Sequence, residues 1–227
     1  MKTKFGSIIV AGSGKIGGHV ASKNRAGSYL RTKVTPVNPS TSAQAEARNL
    51  LASLASAWSG LTPEQRSAWN GAVDQYKKTD IFGDLRTPSG FNLYCMLNDN
   101  LVRIGESAIT TPPAPVALPV ITTGVLAAVH DGALTVTFET DPVVTASVIE
   151  VMATPALSAG KSFVKSELRR IGSMGALTEH VGTLTTLYNT KFGAVGAAGG
   201  KVFVQLRQIS NVTGQAGVPV LYSAIIS

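Results

Sequence analysis

The sequence is poor in charge and has no long hydrophobic run. Charged residues make up 15% of its 227 residues, compared with roughly 25% in an average soluble domain. So little charge is typical of a protein whose surface is covered by neighbouring molecules, and it is unusual for a free soluble enzyme. No segment approaches the about 18 consecutive apolar residues of a membrane-spanning helix. No apolar run near the start has the length of a signal-peptide core. We therefore expect neither a membrane partner nor secretion by this route.

The residues that most often carry chemistry are also scarce. Cys95 is the single cysteine, which excludes an internal disulfide and a cysteine zinc cluster, and we expect it to be a buried apolar residue in a reducing compartment. The three histidines, His19, His130 and His180, are far apart and show no metal-ligand spacing. No Gly-x-Ser-x-Gly nucleophile motif occurs. The sequence therefore predicts no enzyme, no cofactor and no metal.

Acidic residues are missing from the N-terminal segment, where none precedes Glu46. The rest of the chain is electrically balanced, so the formal net charge of +7 comes from this segment. Charge segregated in this way predicts an arm that binds an acidic partner or an assembly neighbour. The segment contains seven basic side chains: Lys2, Lys4, Lys15, Lys23, Arg25, Arg31 and Lys33.

The basic segment is predicted to be extended. Alternation of apolar and polar residues over residues 29–34 is typical of a strand, and Asn24-Arg25-Ala26-Gly27 is typical of a turn. An extended arm or a loose hairpin fits this pattern. Three interpretations stay open: a nucleic-acid-binding arm, an assembly arm that pairs with a neighbour's sheet edge, or a solvated tail. The residues expected to contact the partner are Lys15, His19, Lys23, Arg25, Tyr29, Arg31 and Lys33.

Glycines in the same segment match a dinucleotide-binding fingerprint. Gly12, Gly14 and Gly17 have the spacing G-x-G-x-x-G, which binds a pyrophosphate when a helix follows it and an acidic residue stands about 20 residues further on. Further glycines weaken that helix, and no acid precedes Glu46. A dinucleotide-dependent oxidoreductase is therefore the least favoured of the functions considered.

Helix-start signals follow the basic segment. Thr41 with Gln44 and Thr62 with Gln65 each have the spacing of a capping box, in which two side chains satisfy the first backbone N–H groups of a helix. A third helix is predicted over residues 91–103 from its wide apolar face. The sequence thus predicts a small three-helix bundle.

The predicted parts follow one another along the chain. The basic arm covers residues 1–42 and the helical bundle residues 43–109, with Trp58 and Trp69 as its core anchors. A proline-rich linker covers residues 110–116. Residues 117–227 are expected to form short strands joined by turns. Strands are predicted over residues 134–138, 148–153, 201–209 and 218–226.

Three strings stand out in the first hundred residues or so. They are Gly17-Gly18-His19-Val20 followed by Arg25-Ala26-Gly27 and Arg31, then Pro36-Val37-Asn38-Pro39-Ser40-Thr41-Ser42-Ala43-Gln44 followed by Arg48, and then Trp58-Ser59-Gly60-Leu61-Thr62-Pro63-Glu64-Gln65-Arg66-Ser67-Ala68-Trp69. Together they resemble a group of virion-associated proteins of tailed phages and prophages. The resemblance implies a place in a phage particle. It does not by itself imply a mechanism.

The C-terminal part contains the segment Lys201-Val202-Phe203-Val204-Gln205-Leu206-Arg207-Gln208-Ile209-Ser210-Asn211. This segment resembles the penultimate strand, and the turn that follows it, of a fibronectin type III or related Ig-like domain. Leu184 or Leu187 would be the loop leucine before that strand. The tryptophan usual on an early strand is missing, and Phe138 would replace it. The resemblance implies a β-sandwich.

Taken together, these features predict an α+β chain of several parts, with a basic extended arm or hairpin, a small three-helix region and a C-terminal all-β sandwich. We expect a virion structural protein, assembled in the cytoplasm of the bacterial host. Its arm and helices would contact capsid, connector or tail subunits, and it would be present in several copies or as a homo-oligomer. The alternative is a nucleic-acid-binding packaging protein that uses the basic arm.

Overall fold

The computed structural model describes residues 12–25, 27–35, 37–80, 82–118, 120–141, 147–175 and 181–227. Several residues named above lie outside this described part of the chain: Lys2, Lys4, Ala26, Pro36 and His180. Within the described part, the protein is α+β, with four α-helices and several antiparallel sheets.

Contacts group the chain into two units. The first comprises Met1–Asn49 and Lys77–Thr87, and the second comprises Leu50–Tyr76 and Pro88–Ser227. The domain boundaries predicted above stay a prediction.

The first unit contains a three-stranded antiparallel sheet in the order β1-β2-β3. Its strands are β1 (Gly14–Ile16), β2 (His19–Asn24) and β3 (Gly27–Thr32). Asn24 pairs with Gly27, which confirms the predicted turn between β2 and β3. The sequence did not predict β1, because three residues are too few to show an alternating pattern.

The glycines of the dinucleotide fingerprint lie in this sheet. Ile16 pairs with His19, so Gly17 and Gly18 form the tight connection between β1 and β2. Gly17 has a φ of 55°, a left-handed conformation that glycine adopts without a Cβ clash. Strand β2 stands where the fingerprint requires a helix, so the amide cluster of a helix N-terminus is missing at this position.

The helices begin largely as their sequences predict. They are α1 (Ser42–Ser59), α2 (Pro63–Ala72), followed by a 3₁₀ turn (Val73–Tyr76), and α3 (Gly90–Arg103). At the start of α2, the Thr62 hydroxyl accepts a hydrogen bond from the Gln65 N–H at 3.3 Å, and Gln65 Oε1 accepts one from the Thr62 N–H at 2.9 Å. The second capping box is therefore confirmed.

The first capping box forms only in part. The Thr41 hydroxyl accepts a hydrogen bond from the Gln44 N–H at 3.3 Å. Gln44 Oε1, however, is buried and has no hydrogen-bond partner in the described part of the chain. The sequence spacing predicted both halves of this box, and only the half made by Thr41 is present.

The helices of the second unit share one apolar cluster. Trp69 lies at its centre, fully buried, and the Trp69 indole N–H donates a hydrogen bond to the Thr110 carbonyl at 2.8 Å. Trp58 is half-buried and packs against the same cluster. The buried members of the cluster are Leu54, Leu61, Trp69, Tyr76, Leu93, Tyr94 and Leu97.

Strands make up most of the remaining chain. Strands β4 (Lys78–Thr79) and β5 (Leu85–Arg86) pair in the first unit. The second unit contains β6 (Val120–Ala128), β7 (Leu134–Asp141), β8 (Ser147–Ala153), β9 (Arg169–Met174), β10 (Val181–Thr183), β11 (Lys201–Ser210) and β12 (Val220–Ile225), with α4 (Thr185–Phe192) between β10 and β11. The four predicted strands are confirmed as β7, β8, β11 and β12. The sequence did not predict β6, β9, β10 or α4.

These seven strands form two antiparallel sheets around one core. One sheet has the order β10-β7-β6, and the other has the order β12-β11-β8-β9. Alternate residues of a strand point to the same face, and the inward sets of both sheets meet in one cluster. From β7 the cluster includes Leu134, Val136 and Phe138, and from β11 it includes Val202, Val204 and Leu206.

Hydrogen bonds join the helices of the second unit to its strands. Asn100 on α3 donates through Nδ2 to the Gly214 carbonyl at 2.8 Å. The Tyr76 hydroxyl donates to the Pro113 carbonyl at 2.8 Å and accepts from Gln215 Nε2 at 3.2 Å. Because these bonds tie α3, the proline-rich segment and the turn after β11 together, the helices and strands belong to one packed unit.

A candidate docking surface

Strand register sorts the basic residues of the first unit onto two faces. Lys15 pairs with Val20, and Val20 pairs with Arg31, so these three side chains share one face of the sheet. Tyr29 lies on the same face, two residues before Arg31. Lys33 continues the alternation just beyond β3, where its N–H donates to the Gly18 carbonyl at 2.8 Å. We call Lys15, Tyr29, Arg31 and Lys33 the basic face.

The remaining predicted contact residues lie elsewhere on the sheet. His19 and Lys23 belong to the opposite face, together with Ile16, Ala21 and Leu30. On this opposite face Ala21 is buried, whereas Ile16 is 63% exposed. Arg25 lies at the turn between β2 and β3. The structure thus brings together four of the seven predicted residues.

In the part of the chain that the structure describes, the cations of the first unit's sheet lack acidic partners. Lys15, Lys23, Arg25, Arg31 and Lys33 are all exposed, and none of them forms an ion pair with a carboxylate in the described part of the chain. In the second unit, several basic residues form ion pairs with acidic residues. The pairs are Arg103 with Asp99, Lys161 with Glu167, and both Arg170 and Arg207 with Glu150.

Charge also separates between the two units as a whole. The first unit's ranges contain eleven Lys and Arg residues against three Asp and Glu residues, and those of the second unit contain nine against ten. The formal net charges are therefore +8 and −1. The excess positive charge therefore lies in the first unit, which includes Lys77, Lys78 and Arg86 besides the N-terminal basic segment.

Arg86 is a member of this region that the sequence did not predict. Its guanidinium lies close to the β2–β3 turn, since a Cβ added at Gly27 would be 3.6 Å from Nη2 of Arg86. Asp80 holds the same guanidinium, with 3.0 Å between Nε of Arg86 and Oδ2 of Asp80. Arg86 is distant from the turn in sequence, and no local pattern links the two.

Asp80 fixes the loop that carries Arg86. Its Oδ1 accepts hydrogen bonds from the N–H groups of Phe82 at 2.8 Å and Asp84 at 3.1 Å. Burial of the carboxyl would raise its pKa, but these two N–H groups and the Arg86 guanidinium together lower the pKa below its ordinary value. The carboxylate is therefore held in its charged form at neutral pH.

The two predicted tryptophan anchors belong to an aromatic group in the second unit. Trp69 and Tyr94 meet edge to face with 5.3 Å between ring centroids, and Trp58 lies 5.3 Å from Tyr94 and 5.7 Å from Phe91. Such pairs stabilise a core beyond their buried area. Trp69 has no exposed ring surface to offer a ligand, and Trp58 has part of one.

Cys95 packs beside these rings and is half-buried. Burial, followed by the nearby negative charge of Asp99, raises the pKa of its thiol. Thiolate is the reactive form, so this environment disfavours a nucleophilic role. Among the described residues, no three metal-binding side chains come together, and no helix has the length and apolar character that crossing a membrane demands.

Comparison of the chain with protein-family models and with curated proteins finds no match.

Proposed function

We propose that the protein is a structural component of a tailed-phage particle, attached through its first unit and presenting its second unit to neighbouring subunits. The observation that carries this proposal is the charge separation. One unit has a net charge of +8 and exposes the five cations of its sheet, and the other has a net charge of −1. Such a division suits a protein with one dedicated attachment unit.

Helix α1 supports a role in assembly. It is 18 residues long, and among its described side chains only Leu54 is buried. Glu46 and Arg48 are its only charged residues. Leu50, Leu54 and Trp58 form its apolar stripe against the cluster of the second unit. The remaining face of a helix on the surface of a free monomer normally carries charge. Exposed alanine, serine and leucine side chains, including Leu51 at 55% exposure, fit a helix that other subunits cover.

The β part of the second unit supports the proposed fibronectin type III or Ig-like sandwich. Its division into three and four antiparallel strands around one core is the architecture of that class. Phe138 is buried on β7, as expected of a residue that takes the tryptophan's place. Leu184 is fully buried before β11 and Leu187 is only partly buried, which favours Leu184 as the loop leucine.

The test is the composition of particles purified from a host that carries the gene. Quantitative mass spectrometry of gradient-purified particles should find this chain at a constant ratio to the major shell subunit. Lys15→Gln with Arg31→Gln should lower that ratio. The matched control, Lys165→Gln with Lys191→Gln, removes the same charge from exposed positions of the second unit and should leave the ratio unchanged. Absence of the wild-type chain from the particles would refute the proposal.

A further inference from the structure

We infer that the basic face binds the phosphate backbone of nucleic acid. The inference rests on the proposed function, because it names the partner of the unit through which the protein is attached. The opposite face, on which Ile16 is exposed and Ala21 is buried, is not part of this site.

The spacing of the cations suits a line of phosphates. Alternate residues of a strand are roughly 6.6 Å apart, which is the separation expected between Arg31 and Lys33. A row of cations at this spacing can contact successive phosphates along one nucleic-acid strand. Lys15 lies two strands away from Arg31 in the sheet, roughly 9–10 Å across. The hydrogen-bonded ladder fixes these positions before any ligand binds.

The sign of the charge favours nucleic acid over an acidic protein. Protein interfaces have an apolar centre depleted in charge and a polar rim. The basic face instead places Lys15 and Arg31 on either side of Val20, and no acidic residue precedes Glu46. Interfaces with nucleic acid are much more positively charged than those with protein. The excess of one sign therefore points to a polyanion.

Tyr29 adds a second kind of contact. It lies two residues from Arg31 on the same face and is half-exposed. A tyrosine in this position can donate its hydroxyl to a phosphate or stack on an unpaired base. Arg86 also lies near the β2–β3 turn, but its charge is balanced by Asp80.

The experiment measures binding of the full chain to labelled nucleic acid by fluorescence anisotropy over a range of salt concentrations. The probes are a short duplex of mixed sequence, a single strand of the same sequence, and poly-glutamate as an acidic polypeptide. Three phosphate contacts predict that the logarithm of the association constant falls with the logarithm of salt with a slope of about −2.7 for the duplex. Binding to poly-glutamate should be much weaker.

Variants test whether the salt dependence of binding comes from the basic face. Lys15→Gln with Arg31→Gln should reduce the magnitude of the slope by about 1.8, since each lost phosphate contact removes about 0.9. The control pair Lys165→Gln with Lys191→Gln should leave it unchanged. Lys33 lies outside the strands, so Lys33→Gln should not disturb the sheet. It should reduce the magnitude of the slope by about 0.9, which provides a second test if the double variant fails to fold.

Three results would overturn the inference: no binding to either nucleic acid, a slope that the basic-face variants do not change, or equal affinity for poly-glutamate. The last result would assign the face to an acidic protein. Any of these could occur while the chain is still found in purified particles at a constant ratio. In that case the inference would fail and the proposed function would stand.

Discussion

The ring of Tyr222 on β12 lies against the backbone of Gly124 on β6. A Cβ added at Gly124 would be 2.5 Å from Cζ of Tyr222 and 2.6 Å from its hydroxyl oxygen. Strand β6 is the edge of one sheet and β12 the edge of the other, and Ala128 forms a bridge with Ile226 further along. An aromatic ring over a strand glycine therefore closes the core where the two sheets meet.

We expect Gly124→Ala to destabilise the second unit. The new methyl group would occupy the position of the Tyr222 ring, and overpacking of this kind costs about 1–3 kcal/mol. Thermal and urea unfolding of the full chain would measure the loss. Gly160→Ala is the matched control, because a Cβ there meets no atom within 4 Å.

A second substitution separates overpacking from other causes. Tyr222→Val removes the ring, so Gly124→Ala should cost much less in that background than in the wild type. Equal costs in the two backgrounds would mean that the Tyr222 ring is not the obstacle.

Removing the hydroxyl of Tyr222 and removing that of Tyr76 should have different effects on stability. The Tyr222 hydroxyl is buried and has no hydrogen-bond partner in the described part of the chain. The Tyr76 hydroxyl donates to Pro113 and accepts from Gln215. We expect Tyr222→Phe to leave stability unchanged or to raise it, because no bond is lost. Tyr76→Phe should cost about 1–2 kcal/mol, because the Pro113 and Gln215 groups lose their partner.

Urea unfolding of the two phenylalanine variants measures this difference directly. Each variant removes a single oxygen from a tyrosine of the second unit, so each serves as the control for the other. A loss of stability in Tyr222→Phe as large as that in Tyr76→Phe would contradict the assignment of their hydrogen bonds.

Strands with strict alternation were predictable from the sequence, and irregular ones were not. Strand β7 alternates Leu134, Val136 and Phe138 with threonine and glutamate, which indicates one buried face. Strand β6 has a register shift between Ile121 and Thr123, so its inward-facing residues no longer alternate regularly with outward-facing ones. Its next inward position is a glycine, which is explained only by Tyr222 in another strand. A long-range contact of this kind leaves no local signal.

The docking surface was partly predictable for a similar reason. Alternation within β3 predicts that Tyr29, Arg31 and Lys33 share a face. The sequence could not place Lys15 with them, because that depends on the register of β1 on β2. It also could not separate His19 and Lys23 from the others. Arg86 was missed because it reaches the β2–β3 turn through the fold.

We expect Glu150→Gln to weaken the attachment of α3 to the strands. Glu150 is 4% exposed and binds two guanidiniums, with 3.1 Å to Nε of Arg170 and 2.6 Å to Nη2 of Arg207. Arg170 also donates to the Arg103 carbonyl at the end of α3, and Arg207 to Asn100 Oδ1. A neutral glutamine would leave two cations without their counter-charge.

The expected loss is roughly 2–3 kcal/mol, below the 3–5 kcal/mol of a fully buried pair because the arginines are partly exposed. Thermal unfolding of the full chain would measure it. Glu167→Gln breaks a pair with Lys161 that is 36% exposed on both sides and should cost much less stability, because exposed ion pairs contribute little. Equal losses in the two variants would show that the Glu150 cluster contributes no more than a surface pair.

Acid should weaken the loop that holds Arg86. The lowered pKa of Asp80 means that its carboxyl binds a proton more weakly in the folded chain than in the unfolded one. This contribution to stability is fully present above the unfolded pKa of about 3.9. It is lost as the pH falls through the lower pKa of the folded state. The wild-type protein should therefore lose this stability in strongly acidic solution.

Asp80→Asn tests this directly, because asparagine cannot carry the charge that pairs with Arg86. We expect the variant to be less stable than the wild type at neutral pH, with the difference shrinking as the pH falls, because protonated Asp80 is also uncharged. Asp131→Asn, at an exposed turn, should leave the acid-dependent loss in place. The measurement is the melting temperature of each protein across acidic and neutral pH. A difference between Asp80→Asn and the wild type that does not change with pH would show that the carboxylate's charge does not stabilise the loop, and that its hydrogen bonds to Phe82 and Asp84 do so alone.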